Sequence, residues 1–242
     1  GNLTLDANDS IYLFVSVFIN PGANAQAFIL RDSIRILYNG QQTFIQLSAW
    51  GQNAHFLNNE TTQGNVIWTN DLPYVISGSL HVDSNSTLTI QAGCRIYFHA
   101  NAPMLVDGTL LVMGEAGDSQ RVYFNDDRLD EPYASYPGSG PGIYFRSSSS
   151  DNKLQYAVLR NGDQTLVSEG PSPDLSPKLI LNQCIIDNSL TVGIMGIQSS
   201  IDAANCLISN CGQNIVIAAG GTYQFLQCTA ASYSNTVLQH QQ

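Results

Sequence analysis

The chain is poor in basic residues, with 9 Lys and Arg against 19 Asp and Glu and a formal net charge of −10 over 242 residues. Binding along a phosphate backbone needs a basic face, so this balance argues against nucleic acid as a partner. It argues equally against docking on anionic lipid. No apolar run reaches the roughly 18 residues that a membrane-spanning helix requires, so we predict no transmembrane segment in this chain.

The sequence also lacks the motifs that usually mark a metal or cofactor site. Its five cysteines include no C-x-x-C pair and no Cys/His spacing suited to zinc, so we predict neither a metal cluster nor a disulfide framework. We find no P-loop, no dinucleotide-binding fingerprint and no Gly-x-Ser-x-Gly. We therefore predict no cofactor.

A repeat of 22 residues organises the last third of the chain, where Cys184, Cys206 and Cys228 recur at that spacing. Alternating apolar residues keep the same spacing; the three rows are Leu179, Ile201 and Tyr223; Leu181, Ala203 and Phe225; and Ile186, Ile208 and Ala230. A fixed period near 20 residues is typical of a solenoid. About three short strands and their turns would fill one turn of a parallel β-helix of this length.

The repeat predicts which side chains lie in the same row. Alternation along each strand would turn the apolar rows inward, and the cysteines would form a core ladder, with bridging of stacked neighbours as the alternative. A row of Asn161, Asn188 and Asn210 suits a turn, because Asn tolerates the left-handed conformation and can hydrogen-bond to its stacked neighbours. The rival leucine-rich horseshoe would need helical segments, and residues 189–200 show no helical period.

Residues 1–60 follow a different pattern. An apolar run over residues 11–19 is followed by extended runs and by the Asn39-Gly40 turn signal, which predicts a hairpin. This order of strands and turns predicts a partial antiparallel immunoglobulin-like β-sandwich. The polar stretch 58–65 marks a boundary, so we predict a second, parallel β-helix domain over residues 61–242 and an all-β fold class.

Short apolar strands punctuate the beginning of the second domain. We predict them at residues 80–82, 88–90, 96–98, 104–106, 110–112, 122–124 and 143–145. A long insertion, residues 125–142, lies between the last two of these strands. Long loops on a rigid scaffold often carry function, so we place the candidate ligand-binding residues here.

The insertion contains the densest acidic residues of the chain and two tyrosines. The candidate ligand-binding residues are Asp126, Asp127, Asp130, Glu131, Tyr133 and Tyr136. The acids could bind calcium or act as a general acid/base pair, or they could be solvated, with Arg128 paired to one of them. The tyrosines could stack on sugar rings or cover exposed core.

Several motifs resemble a family of Bacteroidetes surface proteins in which an immunoglobulin-like domain precedes a right-handed, pectin-lyase-like parallel β-helix. The similar segments lie at residues 32–34, 39–40, 49–56, 68–76, 88–93, 96–99, 106–110, 124–130, 137–138 and 142–144, together with Tyr133. The family tends to have Gln-Trp-Gly where this chain has Ser139-Gly140-Pro141. The resemblance implies a lipoprotein at the bacterial outer-membrane surface, of unassigned function, with both ends of this chain cut.

The residues argue against known β-helix enzymes. No histidine is flanked by two glycines, there is no Arg-x-Lys, and Asp187 and Asp202 stand 15 residues apart, so they do not stack. We therefore assign no catalytic residue. The predicted function is non-catalytic binding or adhesion at the cell surface, with a polysaccharide or a surface protein as partner. The alternatives are a polysaccharide lyase or glycoside hydrolase, and a structural scaffold or protein-interaction module.

Overall fold

The structure is a computed structural model that describes residues 10–16, 28–51, 53–131, 133–170 and 177–233. The chain divides into two compact units, Gly1–Asn53 and Ala54–Gln242. Within the described residues, regular structure is almost entirely β-strand, and the single helical element is a 3₁₀ turn at Tyr133–Ser135.

In its described parts, residues 10–16, 28–51 and 53, the first unit contains one antiparallel ribbon. Strands β1 (Phe28–Tyr38) and β2 (Gln41–Gly51) pair along their whole length. The connecting Asn39 and Gly40 have φ of 48° and 78°, the left-handed pair that a tight two-residue hairpin requires. The predicted Asn-Gly turn is thus confirmed. No strand forms over residues 11–16, and residues 17–19 of the predicted first strand lie outside the described residues.

The second unit consists of parallel strands of three to fourteen residues. They are β3 (His55–Leu57), β4 (Glu60–Thr62), β5 (Asn65–Trp68), β6 (Tyr74–Ile76), β7 (Leu80–Val82), β8 (Thr87–Gln91), β9 (Arg95–Phe98), β10 (Met104–Val106), β11 (Thr109–Met113), β12 (Val122–Asp126), β13 (Ile143–Phe145), β14 (Asn152–Gln155), β15 (Ala157–Arg160), β16 (Gln164–Glu169), β17 (Leu179–Asn182), β18 (Ile185–Asp187), β19 (Val192–Ala204), β20 (Leu207–Ser209), β21 (Gln213–Leu226) and β22 (Thr229–Ala231). All seven predicted short strands are present.

These strands form two parallel sheets. The smaller has eight strands in the order β22-β20-β18-β15-β12-β9-β6-β3. The larger has twelve, in the order β4-β7-β10-β13-β16-β19-β17-β14-β11-β8-β5, with β21 paired to β19. Strand β19 is long enough to pair with β16 through its first half and with β17 through its second half. It therefore joins two series of strands into one continuous sheet.

The predicted fold class is corrected on these findings. A single two-stranded ribbon is not an immunoglobulin-like sandwich, since a sandwich requires two packed sheets. The remainder consists of two hydrogen-bonded parallel sheets, with one sheet continuous through β19. A right-handed, pectin-lyase-like parallel β-helix is not shown.

The core of the second unit follows from strict alternation along the strands. Inward side chains such as Leu80, Val82 and Met104 are completely buried, whereas the residues between them are partly exposed. Leu179 pairs with Ile201, and Ile201 with Tyr223, which confirms the row predicted from the 22-residue spacing. Repeated pairing of this kind places successive turns of the chain directly beside one another.

Candidate functional site

The site is built on the row of asparagines that directly follow strands β15, β18 and β20. Asn161, Asn188 and Asn210 have φ of 61°, 60° and 53°, the left-handed conformation predicted for them. Asn188 Nδ2 donates a hydrogen bond of 2.8 Å to Asn161 Oδ1, the bond between stacked neighbours that was predicted, whereas Asn210 Nδ2 donates to Asp187 Oδ1. These bonds orient the polar side chains along one edge of the smaller sheet.

The asparagine row also holds the long loop, residues 127–142. Asn161 Nδ2 donates to the carbonyl oxygen of Ala134 at 3.0 Å, and Asn188 Nδ2 donates to that of Ser135 at 2.8 Å. The Gly138 amide returns a bond of 2.9 Å to the Asn161 carbonyl. The loop is therefore fixed against the turns of later strands, and it forms one wall of a cavity.

This cavity, the loop cleft, has a volume of about 430 Å³. Its floor consists of Asp126 at the end of β12, Arg160 at the end of β15 and Asp187 at the end of β18. The loop residues Arg128, Leu129, Ala134 and Ser135 form the wall, and Asn125 and the asparagine row complete the lining. Cavities of this size with a few convergent polar groups are typical of small-molecule sites.

Asp126 has the most unusual environment of the acids at the cleft. The residue is only 2% exposed, and its Oδ1 accepts the Arg128 backbone N–H at 2.9 Å. Its Oδ2 is buried and accepts no hydrogen bond from the described residues. Burial raises the pKa of the Asp126 carboxyl, because removal from water disfavours the charged form. A protonated carboxyl would turn this oxygen into a hydrogen-bond donor.

Asp187 lies in the same floor but has abundant partners. Its Oδ1 accepts hydrogen bonds from the Ser209 hydroxyl at 2.7 Å and from Asn210 Nδ2 at 3.0 Å. Its Oδ2 is 3.7 Å from Arg160 Nε. The Asp187 carboxylate therefore acts as a hydrogen-bond acceptor at the floor of the cleft. The loop cleft thus combines two carboxyl groups in opposite environments with a guanidinium group.

The structure brings only one of the six predicted site residues into the cleft lining, namely Asp126. Asp127 Oδ2 lies 2.6 Å from His99 Nδ1, which fastens the start of the loop to the end of β9. Asp130 forms a two-point ion pair with Arg128, at 2.9 and 3.1 Å, as the solvated-loop alternative predicted. Glu131 is exposed.

The two predicted tyrosines pack together on the outside of the loop. Tyr133 and Tyr136 meet edge to face with ring centroids 5.6 Å apart, and the Arg128 guanidinium lies 4.2 Å from the Tyr133 ring centroid. They are 44% and 51% exposed. The six candidates therefore do not converge on a common point, and their assignment to one ligand site stays a prediction.

Sequence reasoning missed Arg160 and Asp187 as members of this site. The spacing argument considers Asp187 only as a stacking partner of Asp202, 15 residues away, and no motif singles out Arg160. A local sequence pattern could have identified these site residues. The residue directly before each asparagine of the row is polar or charged, namely Arg160, Asp187 and Ser209. The position before a turn residue at a strand end points its side chain towards the same edge, where the loop closes over it.

Four of the five cysteines are buried and Cys228 is partly buried, and all five are free thiols. Cys184 and Cys206 are 1% and 3% exposed, as a core ladder predicts. Within the residues that the structure describes, no three His, Cys, Asp or Glu side chains are grouped as metal ligands would be. A search of the same residues finds no helix with the length and hydropathy of a membrane span.

Lys178 is a second buried polar group, but its position is structural. Its ammonium group donates to the backbone carbonyls of Arg146 at 2.6 Å, of Ser147 at 3.2 Å and of Glu169. Burial lowers the pKa of Lys178 to about 8, whereas three carbonyl acceptors favour the charged form. All three of its donors are used, so Lys178 fastens two turns to each other.

The chain shows little similarity to known proteins. No protein-family model matches the chain, and no solved structure matches it. Among curated proteins, the chain is 25% identical over 145 residues to a protein named GMP synthase [glutamine-hydrolyzing] from Campylobacter jejuni subsp. jejuni. The match covers 57% of this chain and 28% of that protein.

The predicted function is corrected on this comparison. The similarity is to an enzyme, and nothing found supports a non-catalytic, glycan-directed adhesion protein, a polysaccharide lyase or hydrolase, or a scaffold. No finding supports a lipoprotein, a polysaccharide partner or a surface-protein partner. The resemblance to Bacteroidetes surface proteins and the outer-membrane location are untested and stay predictions.

Proposed function

We propose that the loop cleft is the active site of an enzyme that transfers a proton to a small polar substrate of the nucleotide class. The observation that carries the proposal is Asp126, a buried carboxyl at the cleft whose Oδ2 has no hydrogen-bond partner among the described residues. Buried polar atoms are nearly always bonded in folded proteins, and exceptions concentrate at functional sites. A buried carboxyl with a raised pKa in a polar cavity is a candidate general acid.

The roles follow from the two carboxyl environments. In its protonated form, which burial favours, Asp126 gives the Oδ2 proton to the substrate oxygen or nitrogen that leaves as its bond breaks; water adds to the remaining fragment and returns a proton to the carboxylate. The Arg160 guanidinium then stands in the same cleft as the new charge. Asp187, held by Ser209 and Asn210, accepts hydrogen bonds from the substrate and so orients it. The asparagine row supplies further polar groups for binding.

The nucleotide class is supported by two observations. The curated relative is named as a GMP synthase, although the chain covers only 28% of its length and its activity therefore does not transfer. The cleft itself joins a guanidinium group, suited to phosphate, with acceptors and amides suited to polar base edges and hydroxyls. The proposal includes no nucleic-acid partner, because the net charge of −10 disfavours a phosphate polymer.

The test compares the wild-type chain with Asp126→Asn and with Asp118→Asn as matched control. Asp118 is an exposed acid between β11 and β12, outside the cleft. Each protein is titrated calorimetrically with GMP and with ribose 5-phosphate, and mixtures are followed by NMR for conversion of the nucleotide. We expect Asp126→Asn to reduce turnover by about 100-fold or more with binding largely kept, since a general acid typically contributes about 10²- to 10⁴-fold.

Unchanged turnover in Asp126→Asn, with Asp118→Asn also unchanged, would contradict the role of Asp126. Failure of the wild-type chain to bind either compound would contradict the proposed substrate class. Thermal unfolding of all three proteins shows whether each variant is folded, so that lost turnover is not confused with lost structure.

A further inference from the structure

A second cavity, the apolar recess, lies beside the loop cleft and takes no part in the chemistry proposed above. Its volume is about 400 Å³, and its lining includes Pro137, Leu190, Cys211 and Tyr233. Leu190 is 55% exposed and Tyr233 is 97% exposed. The recess therefore presents apolar surface that no other described part of the chain covers.

The recess and the loop cleft are neighbours. Asn188 and Asn210 line both cavities. The long loop passes over both, with Ala134 and Ser135 at the cleft and Pro137 at the recess. A ligand longer than either cavity can therefore occupy the two together.

Backbone hydrogen bonds hold the walls of the recess in place. The Leu190 amide donates to the Gly162 carbonyl at 2.8 Å, and the Gly212 amide donates to the Ser189 carbonyl at 3.0 Å. Gly138 packs so closely that an added Cβ would lie 2.6 Å from Leu190 Cδ2. Leu190 is thus fixed on its loop side while its other side faces solvent, as a preformed subsite requires.

We infer that the apolar recess is a subsite for a flat apolar group of the ligand, and that a nucleobase packs there against Leu190 and Tyr233. The phosphorylated sugar of the same nucleotide then lies in the loop cleft beside Arg160 and Asp126. This inference rests on the proposed function, which concerns the cleft alone. It adds that recognition of the base takes place outside the catalytic cavity.

The chemistry of the two cavities supports this division. The loop cleft is lined by two carboxyl groups, two guanidinium groups and amides, whereas Pro137, Leu190 and Tyr233 offer carbon surface and one aromatic ring. A ring of a ligand that covers Leu190 and Tyr233 removes apolar surface from water, and an aromatic side chain adds a stacking preference.

The experiment compares GMP, which carries a base, with ribose 5-phosphate, which does not. Dissociation constants are measured calorimetrically for wild type, Leu190→Ala, Arg160→Gln and Leu226→Ala. Leu226 is the matched control, because it is 56% exposed on β21 and lines neither cavity. We expect Leu190→Ala to weaken GMP binding by about fivefold to tenfold, the loss that one truncated apolar contact produces.

The same variant should leave ribose 5-phosphate binding within about twofold of wild type, and Leu226→Ala should change neither constant. Equal weakening of both compounds by Leu190→Ala, or equal affinity of the wild-type chain for both, would overturn the subsite. Arg160→Gln reports on the cleft separately, since it should weaken both compounds. If Arg160→Gln changes neither constant while Leu190→Ala still weakens GMP, the recess binds the base and the proposed cleft function is wrong.

Discussion

At the scale of single residues, Asp126 lowers the stability of the folded protein and is proposed to serve its function. A buried carboxyl with an unpartnered oxygen costs free energy in the folded protein, typically about 1 to 3 kcal/mol for such an atom. Chains can tolerate this cost at a site where the perturbed group performs chemistry. The unpartnered oxygen thus links the fold directly to the proposed proton transfer.

We predict that Asp126→Asn stabilises the folded protein by about 1 kcal/mol at neutral pH, because the variant removes the penalty of a buried charge. The raised pKa fixes the sign of the pH dependence. The protonated form is favoured in the folded state, so the contribution of Asp126 to stability is complete below its unfolded pKa near 4 and is lost as pH rises through its folded pKa. The variant and wild type should therefore converge at acid pH.

Urea unfolding at several pH values between about 3 and 8 measures this difference, with Asp118→Asn as the control that should follow wild type. A destabilised Asp126→Asn at neutral pH would mean that the buried carboxylate has a stabilising partner. Its unpartnered oxygen would then give no reason to assign it a catalytic role.

At the scale of elements, the asparagine row determines where the long loop lies. Asn188 contributes in two ways, through its left-handed backbone and through its bonds to Ser135 and Asn161. Asn188→Gly removes the bonds and also the Cβ, so the left-handed backbone stays unstrained, whereas Asn188→Ala keeps a Cβ in the left-handed region without the side-chain amide that helps Asn tolerate it, at a cost of about 1 to 2 kcal/mol. Comparison of the two variants therefore separates loop anchoring from backbone strain.

We predict that amide hydrogen exchange in the loop around Ser135 accelerates by about tenfold in both variants, while only Asn188→Ala loses about 2 kcal/mol of global stability. Asn205→Gly is the matched control, because Asn205 has a φ of 54° and precedes Cys206 rather than facing the loop. Loop exchange that does not change in Asn188→Gly would show that the row does not anchor the loop.

The row and the hairpin turn could be predicted because each depends on a local property of Asn. Asn39, Asn161, Asn188 and Asn210 all adopt positive φ, and a 22-residue period was enough to align the last two. The cleft could not be predicted in the same way. Spacing shows which residues share a row, but it does not show that a separate loop closes over Arg160 and Asp187.

The prediction of an immunoglobulin-like sandwich was wrong for a related reason. Alternating apolar residues in residues 28–51 do predict strands, and β1 and β2 are present. A sandwich, however, depends on a second sheet that packs against the first, and pairing of distant strands has no local signal. Leu37, Phe44 and Ile45 of this ribbon are 64%, 51% and 46% exposed.

At the scale of the whole molecule, the second unit is stabilised by repeated parallel pairing, so its stability varies along the series of strands. Strands in the middle, such as β18, pair on both sides and contain completely buried residues such as Ile186. Among the residues that the structure describes, strand β21 pairs only with β19, and its side chains are partly or fully exposed. The stack is therefore weakest at the β21 edge.

We predict that amides of β21 exchange at least about tenfold faster than amides of β18, and that Ile186→Ala lowers stability by about 3 kcal/mol. Ile215→Ala, on β21 at a partly buried position, should cost about 1 kcal/mol. Hydrogen exchange on the whole chain measures the exchange rates of the two strands, and urea unfolding measures the stability of the two variants. Uniform protection across β18 and β21 would indicate that the unit unfolds only as a whole.

Asp126 is proposed to be a buried carboxyl with a raised pKa that meets the substrate in the loop cleft. A carbon-13 NMR titration of the aspartate carboxyl groups, with and without GMP, tests it most directly, and Asp126→Asn assigns the signal. We predict that Asp126 titrates above the ordinary range near pH 4 and that its midpoint shifts when GMP is added, while the Asp118 signal does neither. An Asp126 carboxyl that titrates in the ordinary range, with no response to GMP, would contradict the account.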